Sequence, residues 1–314
     1  MNPMSTSPPL KTWLPSWIFL SVVWGLAFVF IKIAGQDLAP LQVALGRVLI
    51  GTVVVWISLA YLKQSLPKTR KVWVKANIVG LLQHTLPFSL IAYGETHITS
   101  VMAGIANAAT PLWVAIFALI FIPSEKLTKT ETIGILTGFV GVLILIGIWE
   151  GTTSEGDLLG TLAVIFATAG YAMAVIYTRG KVSPLGINPF SFTGAQLFSS
   201  AVQLSILCLI FTDVPRNIET STIGSILFLG ILSTGIAFPM VFKIIRDVGS
   251  VTAATTTYAI PIVSTIAGVL VLNEKIHWYQ PIGAAFILWG VAMVQKIKIS
   301  DITKIWSRRG DLNP

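Results

Sequence analysis

Along the chain, apolar residues come in unbroken runs of about twenty, parted by short stretches where prolines, glycines and charges gather. An α-helix rises about 1.5 Å per residue, so a run of about 20 apolar residues matches the roughly 30 Å hydrocarbon layer of a bilayer. The pattern predicts ten membrane-spanning helices at 16–34, 40–62, 73–93, 99–122, 131–149, 158–178, 190–212, 223–245, 250–272 and 279–298. Their connections are short and rich in breakers, as in Lys63-Gln64-Ser65-Leu66-Pro67-Lys68 and Pro123-Ser124-Glu125-Lys126. The runs lack the period-two alternation of a barrel strand, so the fold class expected is an all-α integral membrane protein. The first run is too long for a signal-peptide core and reads as a retained span.

Composition agrees. Of 314 residues, 54% are hydrophobic and 11% charged, against about 25% charged in a soluble domain. The net charge of +8 does not point to nucleic acid, because the basic residues are scattered among membrane loops rather than gathered on one face. They are distributed by side instead. With a cytoplasmic N-terminus, 17 of the 21 basic residues fall on one side of the membrane, leaving Lys32, Arg216 and Lys275 on the other and Arg47 inside a span. The positive-inside rule then puts both termini in the cytoplasm, and the plasma (inner) membrane is the location expected. Cys208, the single cysteine, lies within the seventh run, which excludes an intrachain disulfide and reads as packing.

The two halves of the chain align at a shift of 149 or 150 residues. Pro40 falls on Pro189, Arg47 on Gln196, Ser100-Val101-x-Ala103 on Ser250-Val251-x-Ala253, and Pro111 on Pro261. Glu125-Lys126 falls on Glu274-Lys275, Gly134 and Gly141 on Gly283 and Gly290, and Trp24-x7-Lys32 more weakly on Tyr171-x7-Arg179. Five is odd, so a second five-helix copy enters the membrane upside down. The expected architecture is two inverted five-helix repeats, 16–149 and 157–299, flanked by a cytoplasmic N-terminal segment 1–15 and a cytoplasmic tail 300–314.

The Trp24-Gly25-x-x-Phe28 start, the Pro40-x6-Arg47 second helix, the Ser100 to Pro111 helix and the Glu125-Lys126 turn leading to Gly134 and Gly141 occur in order and in duplicate. In this the chain resembles the drug/metabolite transporter superfamily, specifically its ten-span EamA-type transporters, over about residues 16–298. The resemblance implies a central cavity lined by the first, third and fourth helices of each half, with the fifth helices packed at the back. It implies a small metabolite as substrate without fixing which.

Several residues are candidates for that cavity. Asn107, Thr110 and the mid-span Pro111 are matched by Thr257, Tyr258 and Pro261. A mid-span proline kinks the helix and frees a carbonyl, which another helix, water or a substrate must meet. Gln83 and His84 form a polar cluster near the middle of the third span. Ionisable groups at that depth face an interior or a wet cavity, and His84 reads either as a hydrogen-bonded interhelical residue or as a proton-responsive cavity residue. Trp24 and Phe28 sit one turn apart on the first span, with Tyr171 in the corresponding part of the sixth; packing and substrate contact both fit them. Arg47, seven residues into its span, reads either as a snorkelling interfacial residue or as a gate. The glycines at 134, 138 and 141 read as a close-packing face.

All thirteen acidic residues fall in loops, tails or outermost helical turns, so no midplane carboxylate is expected for trading protons against cationic drugs. The function expected is therefore a secondary transporter of small neutral or zwitterionic, amino-acid-like metabolites, probing either side by alternating access and working as an exporter. Energetically it would run by facilitated diffusion or with His84 as its one deep proton site. A passive channel or a membrane scaffold is the alternative. With His84, His97 and His277 as the only histidines and no phosphate-binding loop, neither an enzyme nor ATP-driven pumping is expected, and no catalytic residue, metal or cofactor is assigned. The expected partners are a small-molecule solute and the lipid bilayer, with monomer and homodimer equally open.

Overall fold

A computed structural model describes residues 10–122, 128–147, 155–248 and 256–294. The described residues are helical throughout, joined by short connections. We label the helices α1 (Leu10–Ala34), α2 (Pro40–Tyr61), α3 (70–97), α4 (Ser100–Phe121), α5 (Lys129–Ile146), α6 (Glu155–Tyr177), α7 (Pro189–Phe211), α8 (220–248), α9 (Thr256–Leu272) and α10 (Tyr279–Val294). The Glu125-Lys126 and Ser250-Val251 repeat motifs, and the expected C-terminal tail, lie outside the described residues.

Seven of these helices are long and apolar enough to cross a membrane by length and composition: those beginning at Trp13, Pro40, Ser100, Lys129, Asp157, Pro189 and Thr220. The described parts of α9 and α10 are apolar but shorter. Polar residues explain why α3 is not among the seven, since Asn77, Gln83, His84 and Thr85 interrupt its middle. Helix ends follow the breakers: Pro40 and Pro189 open α2 and α7 at positions where a missing amide hydrogen costs nothing. Thr128 and Glu131 form a capping box at the start of α5. Begun at Leu10, α1 starts earlier than the expected residue 16, because Lys11 and Trp13 continue the helix.

Among the described residues four helices are irregular. Helix α6 runs on through a π-helical turn (Thr178–Val182) into a short 3-10 turn (Ser183–Leu185). In α3, an α-helix (Arg70–Gly80) passes through a π-helical turn (Leu81–Thr85) and returns to α (Leu86–His97). The same happens in α8, where a longer π segment (Phe228–Ile236) joins Thr220–Leu227 to Ala237–Val248. The π segments of α3 and α8 sit at equivalent distances along the repeat, each just after or around Gly80 and Gly230, which are 150 residues apart, whereas the turn after α6 has no π counterpart after α1. In α4 the helix breaks at Ala108 and Ala109, and resumes at Thr110 with Pro111 in its first turn.

The packing has a simple regularity. Helix α1 rests on α9 as α6 rests on α4; α1 rests on α8 as α6 on α3; and α2 rests on α8 as α7 on α3. The pairs α2 with α7, α4 with α9, and α5 with α10 complete the bundle. Adding five to the helix numbers of these pairs returns the same pairs, whereas α1 also touches α3 and α4, and α4 touches α10, without comparable contacts of α6 on α8 and α9 or of α5 on α9 among the described residues. The closest approach is α5 against α10. A Cβ on Gly290 would come within 2.4 Å of the Gly134 carbonyl oxygen, and one on Gly141 within 2.6 Å of the Ile287 amide nitrogen. Only glycine allows backbones this near, as in small-residue seams between membrane helices.

Candidate functional site

Where α1, α2, α3 and α8 meet, three of the sequence-predicted residues are brought into one ring of contacts. The Trp24 Nε1 donates to the Ser233 carbonyl at 3.1 Å. Arg47 Nη2 donates to the Ser233 hydroxyl and its Nε to the Thr234 hydroxyl, both at 2.9 Å. The guanidinium also lies over the Phe88 ring, 3.8 Å from its centroid. Phe88 in turn faces His84 at 5.3 Å, His84 meets Phe238 edge-on at 5.1 Å, and Phe238 closes the ring on Trp24 at 6.3 Å. The irregular backbone builds this arrangement: His84 lies in the π turn of α3, Ser233 and Thr234 in that of α8. π segments of this kind occur disproportionately at functional sites.

The ring corrects two expectations. Arg47 does not snorkel to the membrane surface; it is 6% exposed and its fork is used by α8 and the Phe88 face. A guanidinium is suited to this because it offers several donors in one plane and stacks on aromatic rings. His84 is not a hydrogen-bonded interhelical residue either. It is fully buried, and neither ring nitrogen has a partner.

The other candidates lie around this ring rather than in it. Phe28, one turn beyond Trp24, is buried in the central apolar cluster beside Gly104, and Tyr171 packs where that cluster meets the one between α2 and α7. Asn107 ends the first part of α4. Its carbonyl accepts from the Thr110 hydroxyl at 2.9 Å, while its side-chain oxygen is buried without a partner. Pro111 is buried in the turn that restarts α4, and Pro261 is buried inside α9. Thr257 and Tyr258 are half-buried in the first turns of α9, Tyr258 against the central cluster, and Gln83 is half-buried in α3. A separate open groove of about 420 Å³ lies on the α3–α7 face, lined by Arg70, Trp73, Asn77 and Phe198 among others. None of the predicted cavity residues lines it.

A second cluster, at the junction of α3 and α4, was not legible as such in the sequence. Lys32 Nζ donates to the Glu95 carbonyl in the last turn of α3 and, at 2.8 Å, to that of Ile98 just past its end. Glu274 accepts from the Ser100 amide at 2.8 Å, the Val101 amide at 3.0 Å and the Ser100 hydroxyl at 3.0 Å. A cation thus sits on a helix C-terminus and an anion on the following N-terminus, each the sign that the helix dipole favours. Glu95 itself is 2% exposed. Its place in the last turn of α3 agrees with the expectation that acids avoid the span interior, but exposure there does not follow. Neighbouring helices cover that turn, with Gly94 of α3 against Gly160 of α6.

Asp37, between α1 and α2, accepts from the Thr222 hydroxyl at 2.6 Å and the Glu219 amide at 2.9 Å at the start of α8. These two donors hold its carboxyl below the ordinary value of 3.8.

Comparison with known proteins places this architecture. The EamA-like transporter family model matches twice, over residues 12–147 and 156–295. An "Uncharacterized transporter YoaV" of Bacillus subtilis is 25% identical over 277 residues, covering 88% of this chain and 94% of that protein. An "Uncharacterized transporter" of Archaeoglobus fulgidus is 26% identical, covering 90% of this chain and 99% of its own. "Protein PecM" of Dickeya dadantii is 22% identical, covering 93% of each. A solved crystal structure shares the fold, with a TM-score of 0.63 at 19% identity over 90% of this chain and 97% of the other. With two family matches spanning nearly all its helices, the chain belongs to the EamA-like transporter family and is a multi-pass membrane transporter.

Proposed function

We propose that the protein is a secondary transporter of ten spans in two inverted five-helix halves. It exports small neutral or zwitterionic metabolites across the plasma membrane by alternating access, with both termini cytoplasmic. The observation that carries this reading is the packing regularity. The most extensive contacts between helices of the two halves have their counterparts when the halves are exchanged, which is the geometry in which one packing can convert to its inverted equivalent and open the opposite side. The π segments of α3 and α8 at matched positions support it, because they supply deformable backbone beside the ring of Trp24, Arg47 and His84.

In this reading Trp24, Phe28, Gln83, His84, Asn107, Thr110, Tyr171, Thr257 and Tyr258 face the pathway, with Pro111 and Pro261 as the bends of α4 and α9. Arg47 is the gate. Its bonds to Ser233 and Thr234 tie the first half to the second, so the halves part only when that fork is released. The unpartnered Asn107 oxygen and His84 nitrogens are polar groups with capacity to spare. They suit a solute with donors and acceptors but little net charge. An aromatic wall of Trp24, Phe28 and Tyr171 suits its apolar part.

The test is counterflow. Metabolites whose extracellular to intracellular ratio changes between cells lacking and overproducing the protein are offered, one by one, to proteoliposomes holding the purified chain. Saturable uptake that is accelerated by unlabelled solute inside is the expected result. Flux that rises linearly with concentration and shows no counterflow identifies a channel and overturns alternating access.

A further inference from the structure

The junction of α3 and α4 contains one group that the transport reading leaves unused. Both carboxylate oxygens of Glu95 are buried, and neither has a hydrogen-bond partner. Lys32 of α1 is close, yet it donates to the main-chain carbonyls of Glu95 and Ile98 rather than to the carboxylate. Of the other charged groups acting on Glu95, Glu274 is an anion occupied with the first amides of α4, and Arg47 of α2 is occupied by Ser233 and Thr234. Helix α6, packed on the same turn through Gly160, carries Asp157 near its start and Tyr171 deeper; Tyr93 and His97 of α3 are exposed.

An ionised carboxylate buried without a donor is strongly disfavoured, because it has lost its hydration and gained nothing in exchange. A carboxylic acid in the same place loses far less. On the orientation proposed above, Lys32, Glu95, Ser100 and Glu274 lie at the outer end of the bundle, where Lys32 and Glu274 hold α1, α3, α4 and the α9–α10 connection together.

We propose that Glu95 is a proton-binding site of this transporter. When the outer end closes, the carboxylate takes one proton from the outer water to become the acid; when it opens, the acid returns that proton to the same water. This rests on the alternating-access reading and adds a ligand to it. Closure linked to one proton shifts tenfold for each pH unit over which Glu95 is ionised in the open state, so acid outside favours the closed form.

Two measurements on the full chain in lipid nanodiscs test this. Infrared spectra at neutral pH should contain the C=O stretch of a buried carboxylic acid, absent from Glu95→Gln. Amide hydrogen exchange over residues 98–103, corrected for the intrinsic effect of pH, should quicken up to tenfold per pH unit as pH rises in the wild type. It should stay slow and flat in Glu95→Gln, which mimics the acid in shape and keeps the fold. His84→Leu should keep the wild-type slope. A spectrum without the band, or the same pH profile in wild type and Glu95→Gln, overturns the proposal. Neither measurement uses a transported solute, so failure of counterflow would remove the alternating-access reading and leave the band in place.

Discussion

Removal of the Glu274 carboxylate is the sharpest test of how the α3–α4 junction is held. The first amides of a helix have no partner within it, and in α4 each is accounted for. Met102 donates to the Thr99 hydroxyl, Ala103 to the Thr99 carbonyl, and Ser100 and Val101 to Glu274. Glu274→Ala therefore strips two amides and the buried Ser100 hydroxyl of one shared acceptor. Losing an N-terminal cap costs about 0.5–2 kcal/mol, and the charge–dipole interaction adds about 0.3–1 kcal/mol. Water reaches part of the site and recovers some of this, which sets the expected loss at about 2 kcal/mol, a factor of about thirty. Hydrogen exchange read at Ser100 and Val101 should accelerate by about that factor, while the amides of α7, which packs on α2, α3 and α8 rather than on α4, hold their rates. Glu274→Gln, which keeps an acceptor but not the charge, should fall between. If Ser100 and Val101 exchange in Glu274→Ala within twofold of the wild type, Glu274 does not hold this end.

The α5–α10 seam should reject any side chain. Gly290→Val places a Cβ against backbone atoms at 2.4–2.8 Å, so the midpoint of thermal unfolding in detergent should drop, by about 2 kcal/mol or more. Gly224→Ala in α8, where a Cβ would meet nothing within 4 Å, should be neutral or gain about 0.5–1 kcal/mol from helix propensity in the same assay. His84→Leu removes two buried, unpartnered nitrogens and should keep or raise the thermal midpoint, because an apolar group carries no unmet hydrogen-bonding need. Asp37 has a carboxyl held below 3.8 in the folded protein; its contribution is present above that ordinary value and is lost as pH falls through the lower folded one. Exchange at the Glu219 amide should consequently stay slow at pH 3.8 and quicken only in stronger acid, and Asp37→Asn should abolish the step.

Element positions were largely readable from hydropathy, because a bilayer demands helices of fixed length and the breakers mark their ends. The residues of the third helix show the limit: of the polar side chains that lower its hydropathy, His84 and Thr85 are buried while Asn77 is exposed, and a π turn leaves no periodic signature. Arg47 was located as an intramembrane cation, but its direction depends on Phe88, Ser233 and Thr234, which come from two other helices and are individually ordinary. Glu95 illustrates the same gap. Position near a helix end is a statement about sequence, whereas burial is a statement about what packs over that end. The α3–α4 junction combines residues 32, 95, 98, 100 and 274, too far apart for any local spacing rule to join. The duplicated Glu-Lys pair and the matched Ser100 and Ser250 were visible, but only the fold joins Glu274 to Ser100.

The seam between α5 and α10 has a mechanical consequence. Contacts between side chains have rotamers to spend, and small misfits are absorbed by rotation about a bond. Where backbone meets backbone at Gly134, Gly141, Gly283 and Gly290, there is no such slack, and also no side-chain entropy to lose when the contact forms. The α5–α10 seam is thereby a stiff joint, and a displacement imposed there travels along both helices. In the proposed alternating access, compliance would have to come from the π turns of α3 and α8 and the break in α4 rather than from this joint.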